Sequence, residues 1–383
     1  MWAIFITAIL LLLSLPVLAG GILPALNLAV CWEVLNFFYL SLRQSAGNIF
    51  DLNQLWILRD STPEFIFSSW TCNITLMSLA NKDKCFKNKR YAEDLNFPLP
   101  NINESKFAAY ITGLIEGDGT IIVPKSTRSD KGKLNYPSIQ IIFHLKDIPL
   151  ALLIQKELAN GTLARKKGVN AYILTINNFN GLIFIANLLN SNMRTPKIQS
   201  LYDLIDWLNC RFEDINLEKL PLNNSDLSEN AWLSGFIEAD GHFSLRTTSD
   251  TKYPRVECKL EISQRQVDHR GNDNFKFLSL IAKFLLTEVK PVRLNRVKPE
   301  YRVKTTSLKG NLILENYLKF YPLFGSKYLD SKDWLKALNI FKQGSHKENN
   351  KISKEIIEIK SVMNDKRQFF SWDHLQEFYK LDK

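Results

Sequence analysis

Residues Gly113–Thr120 read GLIEGDGT, and 122 positions later Gly235–His242 read GFIEADGH. On a helix, Ala109, Gly113 and Gly117 fall at i, i+4 and i+8 and share one face, as do Ala231, Gly235 and Ala239. Interior glycine costs a helix about 1 kcal/mol relative to alanine. A row of small residues kept at that cost predicts two helices whose backbones approach closely along it. Gly119 and Gly241 then stop the helices, as glycine does past a helix C-terminus. Asp118 and Asp240 are left at the negative ends of two macrodipoles, an unfavourable place for a carboxylate. A divalent cation resolves the conflict: carboxylates and terminal helix carbonyls are hard oxygen donors suited to Mg²⁺, which also accepts phosphate oxygens. One such acidic turn is more often a solvated loop. Two copies in matching surroundings point to chemistry.

The surroundings do match. TIIVPKS and YPSIQIIFHLKD follow the first copy, HFSLRTT and YPRVECKLEISQ the second. Each copy continues with an apolar helical stretch, a pair of basic alternating segments and closing helical patterns: Phe179–Leu189 and Leu201–Leu208, then Leu308–Leu318 and Leu329–Phe341. Two copies in fixed order predict a pseudo-dimer on one chain rather than a solenoid. The expected division is a charge-free segment (1–32), a weakly structured extension (33–103), the first repeat (104–216), a linker (217–228), the second repeat (229–345) and a basic tail (346–383). Ser105 has the character of a cap for the first helix.

The 383 residues carry a net charge of +10 and a pI near 9.2, which favours a polyanionic partner, nucleic acid or anionic membrane. Five scattered cysteines without a CxxC argue against a thiolate zinc site and a disulfide scaffold. In RVECKLEIS, Arg255, Glu257, Lys259, Glu261 and Ser263 alternate with Val256, Cys258, Leu260 and Ile262. Such a strand has an apolar back and a polar front. Lys125, Arg128, Lys131, Lys133 and Arg165–Lys167 in the first copy, and Arg246, Arg293, Arg296, Arg302 and Lys304 in the second, add basic donors. A β-ribbon of this kind fits the major groove, where base edges are read.

ITGLIEGDG and LSGFIEADG resemble the LAGLIDADG motif of a homing endonuclease family, with Glu116 and Glu238 in place of the first acid. The resemblance implies an α+β fold of two pseudo-symmetric αββαββα repeats forming a saddle over double-stranded DNA. It implies site-specific DNA cleavage with Mg²⁺ or Mn²⁺, by a monomer with internal pseudo-two-fold symmetry. It places metals at Asp118 and Asp240, beside the carbonyls of Gly117 and Ala239. It also implies a basic residue before the helix that closes each repeat, here Lys197 and Lys327, and a polar residue at the end of each second strand, here His144 and Gln264.

FITAILLLLSLPVLAG, within the opening, resembles cytochrome c oxidase subunit 1. Many members of the endonuclease family are intron-encoded and translated in frame with the upstream exon, so this resemblance implies a mitochondrial location. Two rival readings stand beside the nuclease. One is a maturase that binds its host intron RNA and assists splicing. The other is a membrane protein with a basic domain, since Trp2–Ala19 is about long enough to span a bilayer.

Overall fold

A computed structural model of the chain describes residues 102–212, 214–248, 254–348 and 351–381. The expectations for residues 1–101, including the charge-free opening, lie outside the described residues. Among the described residues no helix is long and apolar enough to cross a membrane.

The first repeat runs α1 (Ile102–Asp118), β1 (Gly119–Ile122), β2 (Ser138–His144), α2 (Ile148–Leu158), β3 (Thr162–Arg165), β4 (Ala171–Ile176), α3 (Phe179–Leu189) and α4 (Ile198–Arg211). The second runs α5 (Trp232–Asp240), β5 (Gly241–Thr248), β6 (Arg255–Arg265), α6 (Phe275–Phe284), β7 (Val289–Val292), β8 (Glu300–Lys304), α7 (Leu308–Phe320) and α8 (Ser326–Lys342). Each sheet is antiparallel and ordered first, second, fourth, third: β1-β2-β4-β3 and β5-β6-β8-β7. The order of elements is the one the repeat predicts. The first helix starts at Ile102, three residues ahead of Ser105.

Period-two alternation builds the back of each sheet. Ile139, Ile141, Phe143, Leu174 and Ile176 of the first sheet are buried, as are Phe243, Leu245, Leu260, Ile262 and Val303 of the second. Burial of each such side chain contributes roughly 1.5–3 kcal/mol. Of the two cysteines among the described residues, Cys258 is a buried free thiol and Cys210 is disulfide-bonded.

α1 and α5 abut along the small rows, and the contact is reciprocal. A Cβ on Gly113 would collide with the carbonyl of Trp232 and lie 2.7 Å from the amide of Phe236. A Cβ on Gly235 would collide with the carbonyl of Tyr110 and lie 2.9 Å from the amide of Leu114. Tyr110 and Trp232 are themselves 122 positions apart, so the repeat's period is the symmetry of the contact. Gly119 and Gly241 directly follow the last helical residues, as expected, though not in the left-handed conformation. Gly241 is extended (φ −77°, ψ 147°) rather than left-handed. Added Cβ atoms there would lie 2.7 Å from the carbonyls of Ile115 and Ile237 respectively. Glycine is needed because each strand turns back hard against the helix it leaves.

The chain beyond α8 is folded onto the repeats rather than trailing. A short hairpin, β9 (Lys347–Glu348) with β10 (Lys351–Ile352), leads into α9 (Lys354–Val362). Ile356, Ile359, Met363 and Phe378 are buried. Arg367 is ion-paired to Asp330 and Asp333 of α8, both at 2.7 Å. Phe378 then meets Phe107 and Tyr110 edge-on, each at 5.9 Å between ring centres. The amide of Leu381 donates to Glu157 of α2 at 3.1 Å. This segment therefore starts on the second repeat and ends on the first. Its charge is nearly balanced, eight Lys/Arg against seven Asp/Glu over residues 346–383.

Candidate active site

Asp118 and Asp240 end the two abutting helices. Burial raises the Asp240 carboxyl to about 6, the charge of Asp118 adds to the rise, and Lys327, Lys197 and a hydrogen bond from Gln264 oppose it. Asp118 is raised too, by burial first and by Asp147, against Lys327 and Lys197. Each aspartate thus feels both lysines, and Asp240 feels Asp118. The structure gathers the four groups into one electrostatic site.

Each lysine lies against the end of its own repeat's motif helix. The Lys197 ammonium donates to the carbonyls of Ile115 (2.9 Å), Glu116 (2.7 Å), Gly117 (3.4 Å) and Gly119 (2.7 Å). The Lys327 ammonium donates to the carbonyl of Ile237 at 3.3 Å and to that of Ala239. Both ammoniums sit where a helix C-terminus favours positive charge. Burial lowers the pKa of both lysines, against the pull of the neighbouring carboxylates. The carbonyls of Gly117 and Ala239 therefore face cationic donors.

What places the lysines was missed in the sequence. Glu116 and Glu238 are buried and point away from the paired aspartates. Glu116 accepts from the amides of Arg194 (3.0 Å) and Thr195 (2.7 Å), from the Thr195 hydroxyl (2.6 Å) and from Trp232 Nε1 (2.5 Å). Glu238 accepts from the amides of Phe324 (2.8 Å) and Gly325 (2.9 Å) and from the Tyr110 hydroxyl (3.2 Å). Each glutamate ties down the turn that carries its repeat's lysine, and each takes one bond from the aromatic residue of the opposite motif helix. Burial raises both glutamates, and their hydrogen bonds hold them back. Their presence in both motif copies was the available signal.

The two halves differ around this shared plan. Gln264 Nε2 donates to Asp240 Oδ2 at 2.6 Å. His144 is not brought to Asp118: its Nδ1 accepts from the amide of Lys146 at 3.2 Å and caps a short 3₁₀ turn. Register explains the difference. Gly119 pairs with Ile141 and Gly241 with Ile262, which makes Phe143 the counterpart of Gln264 and puts His144 on the other face of its strand. Asp147 also belongs to one half only. It accepts from the amide of Ser326 at 2.6 Å, at the start of α8. The matching residue before α4 is Pro196, which has no N–H to satisfy.

Among the described residues no cluster of three or more His, Cys, Asp or Glu side chains is grouped to hold a metal. The two carboxylates that end the abutting helices fit a hard cation that retains waters, whereas the helix-end carbonyls are taken up by the lysines. The raised aspartates also fit, because a cation relieves the repulsion and burial that raise them.

The LAGLIDADG endonuclease family matches residues 111–208 and 233–338, one motif copy in each segment. The chain belongs to this family. The intron-encoded DNA endonuclease aI3 of Saccharomyces cerevisiae is 28% identical over 334 residues, covering 79% of each chain. A cox1 intron-2 protein of Schizosaccharomyces pombe is 27% identical over 72% of this chain and 80% of its own. The intron-encoded RNA maturase bI4 of Saccharomyces cerevisiae is 31% identical over 138 residues, 36% of this chain and 19% of its own. Among solved structures, the LAGLIDADG homing endonuclease I-LtrWI bound to target DNA superposes with a TM-score of 0.52 at 19% identity, over 70% of this chain and all of that one. At that identity the likeness concerns the fold: two LAGLIDADG repeats, each with a four-stranded sheet.

Proposed function

We propose that this chain is a site-specific double-strand DNA endonuclease that recognises its site as a monomer and hydrolyses one phosphodiester bond on each strand. The observation that carries the reading is the pairing of Asp118 and Asp240 at abutting helix ends, each within the field of two half-buried lysines. Asp118 and Asp240 would hold Mg²⁺ or Mn²⁺, while the carbonyls of Gly117 and Ala239, expected beside the metals, accept from Lys197 and Lys327. A bound divalent cation supplies neutralisation of the carboxylates and Lewis-acid stabilisation of a phosphate oxygen. Lys197 and Lys327, held on the carbonyls of their own helix ends, would stabilise through their positive field the charge that develops as each phosphate becomes five-coordinate. Gln264 fixes one oxygen of Asp240 and orients the carboxylate. Basic strands and loops hold the phosphate backbone, so binding weakens steeply with salt.

The mitochondrial location rests on the oxidase-like opening and on the cox1 intron relative. A second reading, assistance to splicing of a host intron RNA, is favoured by the stretch similar to a maturase. The test of the first reading is cleavage of a plasmid carrying an intronless cytochrome c oxidase subunit 1 gene, with Mg²⁺ and with EDTA. Discrete cutting only with Mg²⁺ is expected. The Asp118→Asn/Asp240→Asn double variant should bind the same plasmid fragment without cutting it; a variant that still cuts refutes the assignment. Splicing of the host intron by that double variant would separate the RNA role from the nuclease.

A further inference from the structure

The fronts of the two sheets differ in kind. Across the second sheet, register sets charge against charge: Arg246 faces Glu257, Glu261 faces Lys304 and Arg265 faces Glu300. Lys259 lies between Glu257 (3.2 Å) and Glu261 (2.9 Å). Across the first sheet, one row reads Thr120, Gln140, Thr175, Thr162 and another reads Ile142, Ile173, Ala164. None of the front positions in its strands is Lys, Arg, Asp or Glu.

Ile142 is 41% exposed, on a sheet whose other face already packs the core. The positive charge of this repeat lies at the strand ends instead. Lys125, Arg128, Lys131 and Lys133 occupy the β1–β2 connection, and Lys166 and Lys167 the β3–β4 turn. A cationic rim around an uncharged, methyl-bearing centre is complementary to a duplex groove, with phosphates outside and base edges inside. In the major groove thymine alone among the four bases offers a methyl group, and a glutamine amide pairs with adenine through two hydrogen bonds.

We propose that the first repeat reads an A·T-rich half-site by apolar contact between Ile142, Ile173 and Ala164 and thymine methyls, with Gln140 directed to adenine, while the second repeat reads its half-site through charged side chains. The proposal rests on the endonuclease reading above and adds what each repeat recognises. It makes the two halves of the target chemically unlike, as the two sheets are.

The test uses the full chain carrying Asp118→Asn/Asp240→Asn, so that binding is measured without cutting. Duplexes are selected from a randomised library, and thymines in each half are then replaced by deoxyuridine, which removes only the methyl. The expected result is one A·T-rich half in which each contacted thymine loses about fourfold in affinity, the value of one buried methyl group. The other half should be indifferent. Ile142→Ser, an exposed change that spares the core, should abolish the loss at one position, whereas Arg302→Ala should weaken binding and leave the loss intact. A selected duplex insensitive to deoxyuridine in both halves overturns the proposal, as does an unchanged loss in Ile142→Ser. Selection of no duplex overturns the endonuclease reading itself and this proposal with it.

Discussion

Replacing Asp240 by asparagine should stabilise the metal-free protein at neutral pH. The Asp240 carboxyl is raised from 3.8 to about 6 by burial and by Asp118. Between those values the folded protein keeps a proton that the unfolded chain has released. The contribution of this group to stability is therefore full below 3.8 and is lost as pH rises through about 6. The gap of about two units corresponds to about 3 kcal/mol. Asparagine is neutral throughout, has nearly the same shape and can still accept from Gln264. Urea denaturation in EDTA, from pH 4 to pH 8, should show the two proteins equally stable near pH 4. The variant should be more stable by about 3 kcal/mol at pH 7.5. Saturating Mg²⁺ should stabilise the native wild type selectively and narrow the gap. A variant no more stable than wild type at pH 7.5, or a difference that does not change with pH, would refute the reasoning.

Other substitutions probe the remaining parts. Gly235→Ala drives a Cβ into the carbonyl of Tyr110, a backbone atom that cannot step aside; a loss of about 3 kcal/mol by urea denaturation is expected. Glu116→Ala leaves the amides of Arg194 and Thr195 and the Trp232 indole without their acceptor. It should cost at least about 3 kcal/mol and slow one strand's cleavage, read as nicked plasmid. Lys327→Met should keep DNA affinity within a few-fold and let nicked circles accumulate; equal slowing of both strands would speak against its role. Phe378→Ala, with Phe107 and Tyr110 against its ring, should lose about 3–5 kcal/mol in the same denaturation assay.

Most of the fold was legible because it is written twice. A 122-residue period fixed the order of elements, and the small rows announced the helix contact that the structure realises at Gly113 and Gly235. The site was only partly legible. Asp118, Asp240, Lys197 and Lys327 stand together, but Glu116 and Glu238 were seen as substitutions in a motif, since nothing local reveals that a carboxylate turns inward to hold a segment about 80 residues away. His144 and Gln264 look alike by position near a strand end. A shift of one residue in pairing reverses the face of a strand, and register is not a property of either strand alone. The last segment was set apart as a tail because its polar residues mask a sparse apolar set, Ile356, Ile359, Met363 and Phe378, whose partners lie on both repeats.

The crossed bonds from Trp232 to Glu116 and from Tyr110 to Glu238 constrain how such a protein can be recombined. Neither motif helix completes its own lysine turn, so a half grafted onto a foreign half inherits the stranger's aromatic ring as its anchor. Hybrid nucleases built from this chain will succeed according to whether the foreign half supplies a donor at the position of Tyr110 or Trp232 for the glutamate it meets.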